Sequence, residues 1–426
     1  MKEIFIARQP IIDRTGHIHG YELLFRHNFK NNAVPIACNT TATSRVLVNA
    51  LNNFGTKSLL GDHFGFVNID HSFMDTSLFR TIPAKQFVLE ILENSLVSES
   101  FISKIVELKS EGFTFALDDM DLSEEMICRF EPIFPYLSYV KIDLFSTTKE
   151  IITEKIGIFK GFKNISLLAE KVESIEDFEY YKEMGFSYFQ GYFYEKPTMF
   201  SGKKFDPTRK TLLEFSALLD TDSDINELES KLISCPHMVV NLLRYINSVG
   251  MGMREPIRSL RHGLMLLGRQ CLKQWVLLFL YANATGSIFS EPILISALFR
   301  GHMMQLLSSK ICSSTKQDQA FMIGMLSLFD ALLGLPLKEI LKDIDFHTNV
   351  KTALLQREGT LGKILDLTIA VDEENFSNIT IYLDFLNLDE DMLAALTTES
   401  YNWANNFYAE HMAYDVQTEE KNQKNG

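Results

Sequence analysis

The sequence is poor in paired cysteines, in long apolar runs and in positive charge, and each shortage excludes something. Five cysteines (Cys38, Cys128, Cys235, Cys271 and Cys312) are scattered through 426 residues. Their number is odd and no CxxC pair occurs, so neither a disulfide framework nor a zinc site of that spacing is expected. Reduced, mostly buried thiols are the expectation. The longest strongly apolar stretch, Trp275 to Ala282, is far too short to span a bilayer. The opening run from Met1 to Pro10 is too short and too interrupted for a secretory signal. These features predict a cytoplasmic protein that is not embedded in a membrane. Lys and Arg number 41 against 55 Asp and Glu, for a net charge of −14 and a pI near 5.3. That balance, with no dense basic patch, argues against nucleic acid as a partner. It does not exclude a phosphate substrate, because bound metal ions reverse the local sign.

A hydrophobic content of 46% with 23% charged residues is that of an ordinary globular protein. The length predicts two domains. The first half is organised around Asp118-Asp119, which close the apolar stretch Gly112-Phe-Thr-Phe-Ala-Leu-Asp-Asp119. Residues 3–9 read as a strand whose continuation Pro10 limits. Asp13-Arg-Thr-Gly16 is a turn signal, and His19 to Phe25 returns as the second strand of a hairpin. That strand carries Glu22 among apolar neighbours.

Six short strand-like runs then each deliver a polar residue. His63 to Val67 leads to Asn68, and Phe87 to Leu89 leads to Glu90. Phe113 to Leu117 leads to Asp118-Asp119, and Tyr139-Val140 leads to Lys141. Ser166 to Ala169 leads to Glu170, and Ser187 to Phe189 leads to Gln190. Helical segments alternate with them: Ser98 to Lys109, Thr148 to Phe162 and Ser174 to Met184. The last opens on Ser174-Ile-Glu-Asp177, a capping box with Asp in place of the usual Glu. Alternation of this kind predicts a parallel β/α barrel with the polar residues on its C-terminal rim. Carboxylates and an amide oxygen gathered there are hard ligands for Mg²⁺ or Mn²⁺. Two such ions can neutralise a phosphodiester.

These stretches resemble the EAL domain, the family that hydrolyses cyclic di-GMP to linear pGpG in bacteria. The resemblance rests on Tyr21-Glu22-Leu-Leu-Phe-Arg26, Gln9-Pro10-Ile11, Phe66-Val-Asn68, Leu89-Glu90-Ile-Leu-Glu93 and Leu117-Asp118-Asp119. It continues through Val140-Lys141-Ile-Asp143, Ala169-Glu170-Lys-Val-Glu173 and Gln190-Gly191-Tyr-Phe-Tyr-Glu-Lys196-Pro197. It implies a TIM-like (β/α)8 barrel of the EAL type. Glu22, Asn68, Glu90 and Asp118 would bind one divalent ion, and Asp118 with Asp119 would serve a second. Lys141 would sit by the attacking water. Glu170 would be a metal or water ligand, and Gln190 would orient water or substrate. Gln9 would lie near a guanine, Arg26 near a phosphate, and Glu93 would anchor the loop after Asp119. Hydrolysis would lower cyclic di-GMP, favouring motility over biofilm, and a homodimer is among the assemblies implied.

Two departures accompany the resemblance. The loop Met120-Asp-Leu-Ser-Glu-Glu125 lacks the two glycines the family carries there, so it must take another shape. Lys171 replaces a glycine between Glu170 and Val172, which a helical turn with an exposed side chain would tolerate. The rival expectation is an EAL-like barrel that binds cyclic di-GMP, or nothing, and acts through protein contacts.

Beyond a linker at residues 201–209, rich in charge, strand signals give way to helical spacing, as in Leu228, Leu232, Val239, Val240, Leu243 and Ile246. Cys271 to Leu280 reads as a buried helix. Leu242-Leu-Arg-Tyr-Ile-Asn-Ser248, Ile257-Arg-Ser-Leu-Arg-His262 and Leu266-Leu-Gly268 resemble the HDOD domain, a relative of the HD phosphohydrolases. Phe329 stands where such an enzyme requires histidine, and Asp330 alone cannot build the site. His237, His262 and His302 are isolated and read as structural. The expected organisation is an EAL barrel at 1–200, an all-α HDOD domain at 210–412 that binds a protein partner, and a frayed polar tail at 413–426.

Overall fold

The computed structural model describes residues 5–26, 56–69, 83–195, 207–221, 223–233, 238–239, 242, 260–282, 289–311, 315–342, 344 and 346–423. Eight strands close into a barrel in chain order. They are β1 (Phe5–Asp13), β2 (Ile18–Arg26), β3 (Phe64–Ile69), β4 (Phe87–Ile91), β5 (Thr114–Met120), β6 (Tyr139–Asp143), β7 (Ser166–Glu170) and β8 (Tyr188–Gln190). From β2 to β8 neighbours run parallel, but β1 is antiparallel to both β2 and β8. The hairpin read at Asp13 to Gly16 is thus present, and what was not foreseen is the antiparallel pairing of β1 with β8. A hairpin turn returns the chain at once and leaves its first strand reversed. Residue 10 does not end β1 either. Pro10 pairs with Tyr21 of β2, and pairing with β8 begins only at Ile11, so β1 gives up little for the missing N–H.

Four of the described helices between strands begin on hydroxyl caps. In α1 (Thr56–Leu60), α2 (Glu99–Ser110), α3 (Glu124–Phe130), α4 (Lys149–Lys155) and α5 (Ile175–Met184), the caps of α2 to α5 are Ser98, Ser123, Thr148 and Ser174. Each accepts a backbone N–H of the first turn, which would otherwise be unpaired. The Ser174 hydroxyl accepts from Asp177 N and donates to Asp177 Oδ2, so the shorter acid closes the box onto the hydroxyl itself. Phe101, Ile105 and Leu108 form the buried stripe of α2, at the spacing a single helix face requires.

Inside the barrel, Ile11, Phe66, Val88, Ala116, Tyr139 and Leu168 form an apolar floor, with Tyr188 packed against it. His19 joins this floor. Its ring stacks on Tyr188 at 4.1 Å and lies 3.0 Å from the Tyr139 hydroxyl. Burial pulls its pKa down to about 4, against a smaller upward pull from Asp13; His63 adds a smaller downward one. The unfolded chain takes up this proton near pH 6.5 and the folded chain does not until about pH 4, so stability falls as pH drops through that window. The loss from this group is expected to be about 2 kcal/mol, discounted for its partial exposure. Thermal unfolding of wild type and His19→Phe at pH 7 and pH 4.5 measures it. Equal pH sensitivity in both proteins would count against a neutral, buried His19.

By contact, the chain forms two compact units, residues 1–196 with 370–426, and residues 197–369. The expected helical domain ran from 210 to 412, whereas the last helices group with the barrel. In the second unit lie α6 (Pro207–Asp220), α7 (Ile225–Ile233), α8 (Leu260–Ala282), α9 (Ser290–Ile311), α10 (Thr315–Leu326), α11 (Phe329–Leu333), α12 (Leu337–Ile340) and α13 (Thr348–Gln356). Helix α14 (Gly359–Asp372) crosses the division, and α15 (Phe376–Leu386) and α16 (Glu390–Gln423) belong to the first unit. Residues 413–423, expected to fray, continue α16.

Arg8 shows why α16 stays with the barrel. Its guanidinium is buried between the Tyr21 and Tyr401 rings, 4.3 Å from each centroid. It also donates to Leu59 O at 2.6 Å and to Asn405 Oδ1 at 3.1 Å. A buried guanidinium needs such partners, and two of them lie on α16.

In the second unit, Leu228 and Leu232 are buried as their spacing predicts, and Val239 is half-buried. Val240, Leu243 and Ile246 lie outside the described residues. The expected helix at 271–280 sits within α8, which breaks at Gly268, φ 71°. Helices α9 and α10 cross so closely that a Cβ on Gly324 would stand 2.4 Å from Arg300 O. Phe329 is fully buried against Tyr281, and burial pushes the Asp330 carboxyl up. Burial likewise lowers His302 to about 4. His237 and the side chain of His262 lie outside the described residues. Of the cysteines described, Cys128 is exposed, contrary to expectation, and Cys271 is half-buried. Cys38, Cys235 and Cys312 lie outside the described residues. Among the described residues, no helix is long and apolar enough to cross a membrane.

Candidate active site

Apart from Glu22, which follows Gly20, the polar residues singled out on strands β3 to β8 sit two positions beyond a residue of the floor. Phe66 is followed by Asn68, Val88 by Glu90, Ala116 by Asp118, Tyr139 by Lys141, Leu168 by Glu170 and Tyr188 by Gln190. On the reversed strand β1 the step runs backward, from Ile11 to Gln9. Side chains two apart share one face of a strand, so the barrel wall carries a polar layer directly above an apolar one. The polar residues therefore lie within the strand ends, not after them as expected.

Lys141 is the centre of this layer and is fully buried. Its ammonium lies 2.7 Å from Glu90 Oε1, 2.7 Å from Asp118 Oδ1, 2.9 Å from Glu170 Oε1 and 3.0 Å from Glu22 Oε2. Gln190 Nε2 donates to Glu22 Oε2 at 2.7 Å and to Gln9 Oε1 at 2.6 Å. Asn68 also hydrogen-bonds Glu22. One ammonium faces four carboxylates, and the pKa directions follow from that imbalance. Burial alone would lower Lys141, but the four acids hold it well above its ordinary value. Burial would raise Glu22, but Lys141 and the bonds from Gln190, Lys141 and Asn68 bring it below the usual range. Burial and neighbouring negative charge win at the others. Glu90 lies well above its ordinary value, Asp118 rises to about 6 and Glu170 to about 8. Protons or cations must make up the missing positive charge.

A β-bulge separates the paired aspartates. Leu117 pairs with Val140 and Met120 with Ile142, so Asp118 and Asp119 together oppose Lys141. The extra residue, Asp119, takes φ 45°, and its carboxylate is re-aimed to the rim while Asp118 stays inside. The glycine-free loop after it does take an unusual course. Leu122 adopts φ 57° with its side chain fully buried, and Asp121 Oδ1 accepts from Ser123 N at 2.8 Å.

Two rim residues were not assigned a role from sequence. Asp143 lies two positions after Lys141, and its Oδ2 accepts from Lys171 Nζ at 2.7 Å. Lys171 is not in a helical turn but in a left-handed bend, φ 58°. Extending the same alternation one step would have marked Asp143. Nothing local marks Lys171. Gly191 holds that bend from the other side: Val172 N donates to Gln190 O at 2.9 Å, and a Cβ on Gly191 would come within 2.2 Å of Val172 O. With φ 147°, Gly191→Ala is expected to cost more than about 3 kcal/mol. A drop in unfolding midpoint of under 3 °C would contradict it.

The Glu93 carbonyl accepts from Arg129 Nη1 at 3.0 Å. The Arg26 backbone ends β2, but its side chain lies outside the described residues.

The donor set suits a hard divalent ion in its chemistry, being carboxylate and amide oxygen. Asn68 Oδ1, Glu90 Oε2, Glu170 Oε2 and Gln190 Oε1 are buried with no hydrogen-bond partner among the described residues. No three His, Cys, Asp or Glu side chains among the described residues are already grouped to hold an ion. An ion among these acids would require Lys141 to give up some of its contacts.

Residues 1–197 match the EAL domain and residues 210–333 the HDOD domain. Cyclic di-GMP phosphodiesterase CdgJ of Vibrio cholerae serotype O1 is 29% identical over 406 residues, spanning 95% of this chain and 93% of that protein. The uncharacterized protein YuxH of Bacillus subtilis is 29% identical over 416 residues, spanning 95% of this chain and 98% of that protein. The probable cyclic di-GMP phosphodiesterase PdeN of Escherichia coli is 26% identical over 229 residues, 46% of this chain and 44% of its own. The barrel, its polar layer and these matches together identify an EAL domain in residues 1–197, followed by an HDOD domain in residues 210–333.

Proposed function

We propose that this protein hydrolyses cyclic di-GMP to linear pGpG with a divalent metal, Mg²⁺ or Mn²⁺. The observation that carries the reading is the ring of four buried carboxylates around the Lys141 ammonium, with Asn68 and Gln190 completing it. The similarity to CdgJ along nearly its whole length supports it. Glu22, Asn68, Glu90 and Asp118 would hold one ion, and Asp118 with Asp119 is where a second would bind. When bound, such ions supply Lewis acidity and charge neutralisation to a phosphodiester.

The chain's own residues do the rest. Lys141, held by the acids, can stand beside an attacking water and steady the charge that develops on it. Glu170 has one oxygen on Lys141 and the other free to accept a proton from that water. Gln190, braced by Gln9 and Glu22, has its carbonyl left to orient water or substrate. Gln9 would face a guanine and Arg26 a phosphate, and Glu93 would steady the loop after Asp119.

In a bacterial cytoplasm this activity would lower cyclic di-GMP, favouring motility over biofilm. The HDOD half, with buried Phe329 in place of a histidine, would serve as a module for a protein partner, and the barrel would support a homodimer.

A second reading draws on the loop at 120–125, whose glycine-free path differs from the family's: binding of cyclic di-GMP without turnover. The test is conversion of cyclic di-GMP to pGpG by the purified full chain with Mg²⁺ or Mn²⁺. Turnover establishes the phosphodiesterase. Tight binding without turnover establishes the second reading. Neither would sink both.

A further inference from the structure

We infer that Lys171 supplies the positive charge at the outer edge of the site that a second divalent ion would otherwise provide. The inference rests on the phosphodiesterase reading. The segment from Glu170 to Val172 is pinned on both sides: Leu144 N donates to Glu170 O at 3.4 Å, and Val172 N to Gln190 O at 2.9 Å. Pinned in this way, Glu170 turns inward to Lys141 and the next side chain turns to the rim. There the Lys171 ammonium lies 2.7 Å from Asp143 Oδ2 and 3.7 Å from Asp119 Oδ1. The bulge at Asp118-Asp119 aims the second aspartate at the same point. Both oxygens of Asp143 are engaged, Oδ1 by Phe145 N at 2.7 Å and Oδ2 by Lys171. An ion between Asp119 and Asp143 would have to displace the ammonium.

The bridge is half-exposed and contributes little to stability. Its effect is on charge: the two rim acids are partly neutralised before any ion arrives, which weakens their attraction for one. The same ammonium, on a flexible stem and half-exposed, can turn to a phosphodiester that arrives at the rim. The chain thus holds one ion tightly inside, and a second at Asp118 and Asp119 binds only weakly beside the Lys171 ammonium.

The experiment is Mn²⁺ binding to the full chain by equilibrium dialysis and electron paramagnetic resonance, alongside cyclic di-GMP turnover. Wild type is compared with Lys171→Gly, Lys171→Met and Lys171→Arg. The glycine variant relieves the left-handed φ, and the methionine variant keeps the side chain's length without its charge. One tight ion is expected in wild type and in Lys171→Arg. Lys171→Gly and Lys171→Met should each gain a second ion, bound at least tenfold tighter than any second ion in wild type. Two ions of like affinity in a wild type that turns over cyclic di-GMP would overturn the inference and leave the phosphodiesterase standing. An unchanged stoichiometry in both uncharged variants would do the same. No bound ion and no turnover in any of the four proteins would remove both.

Discussion

Lys141→Ala is expected to abolish measurable hydrolysis of cyclic di-GMP, a fall of about 10³-fold or more, while the protein still folds. The side chain is fully buried and touches four carboxylates at 2.7 to 3.0 Å. Truncation removes the group proposed to stand by the water, and it also leaves the acids facing one another. Breaking a buried ion pair from one side typically costs about 3–5 kcal/mol. Here protonation of Glu90, Glu170 and Asp118, already raised, softens that penalty. The variant should therefore unfold at lower temperature in chelator, and millimolar Mn²⁺ should recover more stability in it than in wild type. Paired melting curves with and without Mn²⁺, and single-turnover assays, check both halves. A fully active alanine variant would argue strongly against the assigned site.

Glu22→Ala is expected to lose turnover by a similar factor but to cost much less stability. Glu22 Oε2 takes hydrogen bonds from both Lys141 and Gln190, so its loss frees the amide proposed to position water or substrate. It would also remove a metal oxygen. Yet one of four mutually repelling acids leaves with it, and the remaining three still pair with Lys141. A change of no more than about 1.5 kcal/mol is expected, against the larger loss in Lys141→Ala. Binding of cyclic di-GMP should persist within about tenfold, since Glu22 is proposed to hold the ion rather than the ligand. Isothermal titration and melting curves separate the effects. A Glu22→Ala protein that turns over at the wild-type rate would remove Glu22 from the chemistry. One that melts as low as Lys141→Ala would show that its role is chiefly structural.

The polar layer was legible in the sequence because strand alternation is local. Val88 and Glu90, or Tyr139 and Lys141, lie two apart, and no tertiary knowledge is needed to place them on one face. The hairpin of β1 and β2 was legible through Asp13 to Gly16, but the reversal of β1 against β8 was not. That pairing joins Ile11 to Gln190, and no residue near either announces it. The bulge was hidden for a related reason. Adjacent aspartates in a regular strand would point to opposite faces, and only the register against β6 separates them as observed. Lys171 looked like a tolerated surface substitution until Asp143 and Asp119 were seen on either side of its ammonium. The grouping of the final helices with the barrel had no sequence signal at all, because Arg8 meets its partner Asn405 across almost the whole chain.

That pairing bears on the order in which the protein is made. Arg8 leaves the ribosome 397 residues ahead of Asn405, and Tyr401 follows it almost as late. Translation at about 5–20 residues per second separates them by roughly 20–80 seconds. For that interval β1 carries a buried-type guanidinium with two of its partners not yet synthesised, while the 197–369 unit can already collapse on local contacts. The barrel unit is thus begun before the 197–369 unit and finished after it. Nascent chains halted before residue 401 should expose the Tyr21 side of the barrel to proteases and chaperones, whatever the state of the metal site.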